Sequence, residues 1–484
     1  MQPEPGLRQQ ARQGVFWAAV QSWGNKIFTV LLSVVLARLL SPEEFGIASA
    51  VWLALLLVPL IADLGIGTAI LQRRDLRDAD VNLPFYVSCG LALVLVTGIV
   101  AFRAPLADWA GLGDRTIYLV AIAVTLLVSV PTAFQEAMYK RHMRFRDLAL
   151  RAFAANICGG FAALAAAIAG FGVWSFVVQA YVSLGINVVW IWARPAWLPG
   201  LGLEGRSFAQ MLRFGLPVLA QRLVDFAGTR VLDLVIISQI GLAAYGLYVV
   251  GGRLYQTLMQ LLQSAFFDVS LTVLSTVSED RPRIAAIYGK TIALSAGLLS
   301  PCFVALAAIA PEVCAVLFGP DWAGVEDVAQ PLLLLGAVQC VQYMNGAFLS
   351  ARGRPELILV TGVAKSALQI LAVLAIGAPD VAGLTWIYVG ATLMVTPLSF
   401  AMTGRELGLR ATDILPPLAR PAFYAAMGFA AVQSTRPVLA EAGLSAFATG
   451  LALGLLFAVV YLALLALLDR SQLIAIRDQL RRRR

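Results

Sequence analysis

Six cations of this 484-residue chain fall within long apolar stretches; Arg38 lies near one end beside Glu43 and Glu44 and snorkels, which leaves Lys26, Arg222, Arg230, Arg253 and Lys365. A full charge at mid-membrane costs about 2.5–3.5 kcal/mol on insertion scales, so each must face protein or a water-filled cavity. Their neighbours are polar as well. On the first apolar segment Gln21, Ser22, Asn25, Lys26, Thr29 and Ser33 fall within an arc of about 140° at helical spacing, which makes one face wet. The segment RFGLPVLAQRLVDFAGTRVLDLVI carries Arg222, Asp225, Arg230 and Asp233 on an arc of about the same width, each Arg followed by an Asp at i+3. The next segment carries Arg253, Gln256, Thr257, Gln260, Gln263, Ser264 and Asp268, and a later one carries Thr361, Lys365 and Gln369. Lys26, Arg253 and Lys365 have no acidic residue one helical turn away. Cations of that kind suit a cavity that accepts an anion. Arg222 and Arg230, with local carboxylates, fit that cavity or a self-neutralised pair that only holds a bundle together.

Asp63, in PLIADLGIGTA, joins Asp225, Asp233 and Asp268 as a carboxylate that either takes up a proton or coordinates a cation, or else neutralises a neighbouring Lys or Arg. Other chemistry is poorly supplied. Gly200 to Gly205 spells GxGxxG, but it follows an apolar span rather than a strand. Asp78-Ala79-Asp80 lies in a loop of about ten residues with no nucleotide domain around it. The single histidine, His142, and five scattered cysteines without a CxxC give no triad and no metal set. No cofactor is expected, and the cysteines read as small apolar filler.

The elements that hold these residues must be membrane helices. The chain is 60% hydrophobic and 13% charged, with a mean hydropathy of +0.81, which is a polytopic membrane composition. The net charge of +8 sits in short loops, so it does not point to nucleic acid. Hydropathy predicts about fourteen spans, with cores at 14–39, 45–70, 212–236, 242–270, 357–376 and 417–434 among them. The first exceeds a signal-peptide core and lacks a cleavage site, so it is expected to be retained. Pro59, Pro131, Pro217, Pro301 and Pro397 lie in or near spans and are candidate bends. The longest connection is about 310–328. With an inside N-terminus, only Arg103, Arg115 and Arg436 among the loop cations fall outside, which places both termini in the cytoplasm.

A faint repeat appears at an offset of 200, setting Phe45-Gly46 on Tyr245-Gly246 and Gln21 on Gln221. It predicts an all-α protein with a six-helix lobe at 1–200, a second at 201–410, and a trailing helix pair with a basic tail at 411–484. Two even-numbered lobes would share one orientation, related by an axis along the membrane normal. The final DRSQLIAIRDQLRRRR reads as a stop-transfer anchor or an amphipathic helix on anionic lipid.

The runs LARLLSPEEFGIASAVW and IADLGIGTAILQRRDL resemble the start of bacterial polysaccharide-biosynthesis membrane proteins, the Wzx-type flippases of the multidrug/oligosaccharidyl-lipid/polysaccharide exporter superfamily. YKRHMRFRDLAL, LRFGLPVLAQRLVDF and FGPDWAG look like the same family. The resemblance implies a cavity lined by the first, second, seventh and eighth spans, and transport of an undecaprenyl-diphosphate-linked glycan to the outer leaflet of the bacterial inner membrane. Membrane lipids and a polysaccharide polymerase are the further partners it implies. Three rivals stand beside it. A multidrug exporter of the same superfamily should show an acidic, aromatic lumen. A polymerase or glycosyltransferase should show a large loop or nucleotide domain. A scramblase without sugar selectivity would share every feature above.

Overall fold

The computed structural model describes residues 24–26, 28–73, 75–275, 281–352 and 354–469, and all their regular structure is helical. The chain divides between Gly246 and Leu247 into two compact units. The first holds α1 (Gly24–Ala37), α2 (Pro42–Leu55), α3 (Leu57–Asp63), α4 (Ile66–Gln72), α5 (Asp78–Ala101), α6 (Arg103–Trp109), α7 (Thr116–Arg141), α8 (Phe145–Ile168), α9 (Trp174–Trp192), α10 (Gly205–Gln239) and the start of α11 (Leu242–Ser275). The second holds the rest of α11, then α12 (Arg281–Leu294), α13 (Ser300–Ala308), α14 (Ala310–Phe318), α15 (Val325–Ala351), α16 (Pro355–Ile376), α17 (Val381–Leu407), α18 (Ala411–Glu441) and α19 (Ala446–Leu468).

Among the described residues, ten helical stretches are long and apolar enough to cross a membrane. The other four of the fourteen expected spans fall on α1, α10, α11 and α18. Three of those carry the polar arcs; α1 is described over only a short apolar stretch, Gly24–Ala37, whereas in α10 and α11 the polar side chains lower the apolar content.

The second expected span is not one helix. Pro59 lacks the N–H that would bond the Leu55 carbonyl, and the helix breaks at Leu56 before α3 begins. A second break follows Asp63, where Leu64 (φ 50°) and Gly65 (φ 73°) are both left-handed. Gly65 is needed for a further reason. A Cβ there would lie 2.3 Å from the Gly215 carbonyl oxygen, and one on Gly215 would lie 2.3 Å from that of Leu64. Two glycines therefore let α10 pass against the bare backbone of the break.

The offset of 200 acquires a physical meaning at Gly46 and Gly246. A Cβ on Gly46 would meet the Leu242 carbonyl oxygen at 1.8 Å, and one on Gly246 would meet that of Pro42 at 1.9 Å. Pro42 and Leu242, like Gly46 and Gly246, differ by that offset, so the contact between α2 and the start of α11 is reciprocal. Both helices begin there, α2 with Ser41 and Glu44 in a capping box.

In the second unit Tyr288, Phe303, Phe348, Phe457 and Tyr461 anchor one apolar core. Pro301 cannot bond the Gly297 carbonyl as an α-helical N–H would. A π turn at Ser295–Leu299 absorbs the defect, and the Tyr461 hydroxyl donates to that carbonyl at 2.8 Å. The Tyr288 hydroxyl donates to Asn345 Oδ1 at 2.8 Å, and Asn345 Nδ2 donates to Ser399 at 3.0 Å, joining α12, α15 and α17.

The expected connection at about 310–328 is folded: it forms α14 and a 3₁₀ turn at Pro320–Trp322, with Trp322 buried. Asp321 beside it is exposed. If the basic loops are cytoplasmic as expected, a small tag or single cysteine at Asp321 should react with impermeant reagents added outside the cell, while one at exposed Arg410 should not. Cytoplasmic reactivity at Asp321 would overturn the orientation.

Candidate functional site

In the first unit the broken helix places Asp63 against α10. One carboxylate oxygen accepts from the Gly67 backbone N–H at 2.9 Å, closing the break. The other meets the Arg222 guanidinium at 3.3 Å, and Arg222 also donates to Thr68 Oγ1 at 3.1 Å. Asp63 thus does two jobs: it holds α3 to α4, and it partners a cation that approaches from a helix distant in sequence. About two turns further along α10, Arg230 pairs with buried Asp233 at 3.0 Å, the i+3 pairing that the spacing predicts.

Asn25 does not project freely from α1. Its side-chain oxygen and the Thr29 hydroxyl each accept from Asn156 Nδ2 of α8, both at 3.2 Å. Part of the polar arc of α1 is therefore spent on helix packing. The approach is close because Gly160 on α8 leaves room for Phe28. Lys26, next to Asn25, is half-buried and makes no ion pair among the described residues.

In the second unit Arg253 is half-buried on α11, with exposed Gln256 and Gln260 at i+3 and i+7 on the same face. Lys365 is half-buried on α16, one turn before Gln369, whose amide donates to Thr392 of α17 at 2.6 Å. Neither Arg253 nor Lys365 has an ion-pair partner among the described residues. Gln21 lies outside the described residues, as do the side chains of Asp225 and Asp268.

The strings set aside on spacing have structural roles. Gly200 donates its N–H to Asn82, which also donates to the Gly202 carbonyl, so the glycine run is tied to α5. Asp80 accepts from the Arg77 backbone and caps the same helix. Among the described residues no cluster of His, Cys, Asp and Glu could hold a metal ion. Sequence reasoning missed Asn156, Thr68 and the Arg436–Glu312 pair. Each works through a contact with a residue more than a hundred positions away, which local spacing does not register.

A family model described as polysaccharide biosynthesis protein matches residues 35–327, more than half of the chain. The chain belongs to that family. It is 24% identical over 311 residues to the succinoglycan biosynthesis transport protein ExoT of Rhizobium meliloti (strain 1021), covering 64% of this chain. That match spans 63% of ExoT, just under two thirds of the relative's length. It is 21% identical over 374 residues to the lipopolysaccharide biosynthesis protein WzxC of Escherichia coli (strain K12), covering 76% of this chain and 75% of WzxC. The fold is that of the lipid II flippase MurJ in its inward closed conformation, with a TM-score of 0.75 and 14% identity over 95% of this chain and 100% of MurJ. A multidrug resistance MATE transporter of the MOP superfamily, inward-facing, shares the fold at a TM-score of 0.53 and 17% identity, over 79% of this chain and 94% of its own. The protein is a multi-pass membrane protein of the polysaccharide biosynthesis family, and it shares its fold with MurJ and with this MATE transporter.

Proposed function

We propose that this chain is a flippase for a lipid-linked oligosaccharide. It would carry an undecaprenyl-diphosphate-linked glycan from the cytoplasmic to the outer leaflet of a bacterial inner membrane, with both termini in the cytoplasm, and a polysaccharide polymerase would consume the product. Family membership and the relatives' names support the substrate class. The observation that carries the mechanism is the set of membrane-helix cations, Lys26, Arg253 and Lys365, without ion-pair partners among the described residues. In a dry bundle each would be costly. Beside water, each retains its charge for the diphosphate or for acidic sugars. Arg222 and Arg230 are the further cations assigned to the anionic substrate. Their partners Asp63 and Asp233 are the internal carboxylates that an anionic head would compete with, or through which a cation would couple.

A charge-assisted hydrogen bond to an anion contributes about 1.5–3 kcal/mol, so losing one should weaken substrate binding roughly tenfold or more. Purified protein in vesicles should translocate a fluorescent undecaprenyl-diphosphate-linked oligosaccharide. Lys26→Ala and Arg253→Ala should insert normally yet fall by at least that factor. Arg253→Lys should recover part of the rate, since the charge returns without the planar fork. Full-rate transport by both alanine variants would overturn the cationic path. Export of a cationic drug with no movement of the glycan lipid would favour the multidrug reading. Incorporation of labelled sugar into lipid by the chain alone would favour the enzyme reading.

A further inference from the structure

A cavity of about 520 Å³ lies where α7, α8 and α9 end or begin, and none of the polar arcs contributes to it. One wall is Tyr139, Arg144 and Asp147. The other is the face of α9 formed by Gly185, Val189 and Trp190, with Arg194 at its end. The volume falls within the range of sites that enclose small ligands.

The two walls differ in chemistry. The Arg144 guanidinium stacks over the Tyr139 ring at 4.1 Å and bridges Asp147 at 2.8 Å. Asp147 is thereby neutralised and Arg144 is held in place. The Arg194 backbone is fixed by the Tyr139 hydroxyl, which donates to its carbonyl at 2.5 Å. Its side chain is exposed and makes no ion pair among the described residues. The lining therefore keeps a net positive charge at its polar end. The α9 wall is apolar, and Val189 and Trp190 remain exposed on a helix of membrane-spanning composition. Tryptophan favours the membrane–water boundary, and a basic pocket between helices on the cytoplasmic side suits an anionic lipid headgroup.

We propose that this cavity is a specific site for an anionic phospholipid of the cytoplasmic leaflet. Its phosphate sits on Arg194 and Arg144, and an acyl chain runs along Gly185, Val189 and Trp190. The leaflet assignment follows the orientation set by the basic loops. The site is separate from the proposed transport path, so it stands or falls independently of the substrate.

The test is lipid retention by the full-length protein, measured by native mass spectrometry. The protein is exchanged into micelles containing phosphatidylglycerol and phosphatidylcholine with identical acyl chains. Wild type should retain phosphatidylglycerol over phosphatidylcholine by roughly tenfold, the scale of one charge-assisted contact. Arg194→Ala should bring the ratio close to parity, and Arg194→Lys should keep part of it. Gly185→Leu tests the apolar wall without touching the charge. A Cβ at Gly185 meets nothing within 4 Å, so this variant should fold normally, and its larger side chain should exclude both lipids. Equal retention of the two lipids by wild type would overturn the proposal. So would unchanged retention in both Arg194→Ala and Gly185→Leu, or displacement of phosphatidylglycerol by excess inorganic phosphate, which would mark a site for free anions.

Discussion

Arg436→Ala should destabilise the folded protein by about 3–5 kcal/mol, the effect of removing one partner from a buried ion pair. Arg436, on α18, grips Glu312 of α14 with two nitrogens, at 2.8 and 3.2 Å. The same guanidinium donates to Gln433 and to the Ala308 carbonyl, so it also ties α18 to the end of α13. Only 9% of the Glu312 side chain is exposed. Gly450 of α19 comes close enough that its Cβ would lie 3.1 Å from that of Glu312. Without the arginine, a mostly buried carboxylate packed between α14, α18 and α19 would lose its ion-pair partner. Unfolding of the purified protein by heat or denaturant measures the effect. Arg436→Met combined with Glu312→Leu should recover most of the loss, because replacing both charges by apolar groups is often neutral. Equal stability of Arg436→Ala and wild type would mean that apolar packing alone holds α18 and α19 in place.

Gly46→Leu should prevent the normal fold from accumulating, and Gly246→Leu should do the same. At both positions the obstacle is a carbonyl oxygen of the opposing backbone, less than 2 Å from where a Cβ would sit, so no side-chain rotation relieves it. Even Gly46→Ala must push α2 from the start of α11. Overpacking of this kind costs about 1–3 kcal/mol and occasionally more. The two alanine variants disrupt one shared contact, so the double variant should cost less than the sum of the singles. Gly90→Ala supplies the control. Its Cβ meets nothing within 4 Å, and it should be neutral or stabilising by up to about 1 kcal/mol through helix propensity. Folded yield in detergent and thermal unfolding check both halves. Normal stability of Gly46→Ala and Gly246→Ala would show that the crossing is loose.

Residue type and spacing were enough to determine several features. Helical periodicity placed Arg253, Gln256 and Gln260 on one face, because that face depends only on the rotation per residue. It also paired Arg230 with Asp233, which are one turn apart on a continuous helix. Composition established the membrane class and the all-helical fold, since a bilayer forces spanning backbone to satisfy its own hydrogen bonds. The offset that aligns Gly46 with Gly246 was visible in the sequence, but the reason for it was not. Each glycine is there to admit the other helix's carbonyl, and that requirement exists only once α2 and α11 cross. The break after Asp63 was hidden for a similar reason. Leu64 is a poor left-handed residue by local preference, and its conformation goes with a bare Gly65–Gly215 contact and a carboxylate that caps the next helix. Tertiary structure also brought Asp63 to Arg222: Asp63 lies on another helix, so helical spacing along α10 cannot bring it into view. The same holds for Asn25 with Asn156 and for Glu312 with Arg436. Polarity fixes that such groups need partners, whereas the identity of each partner depends on which helices the packing brings within hydrogen-bonding distance.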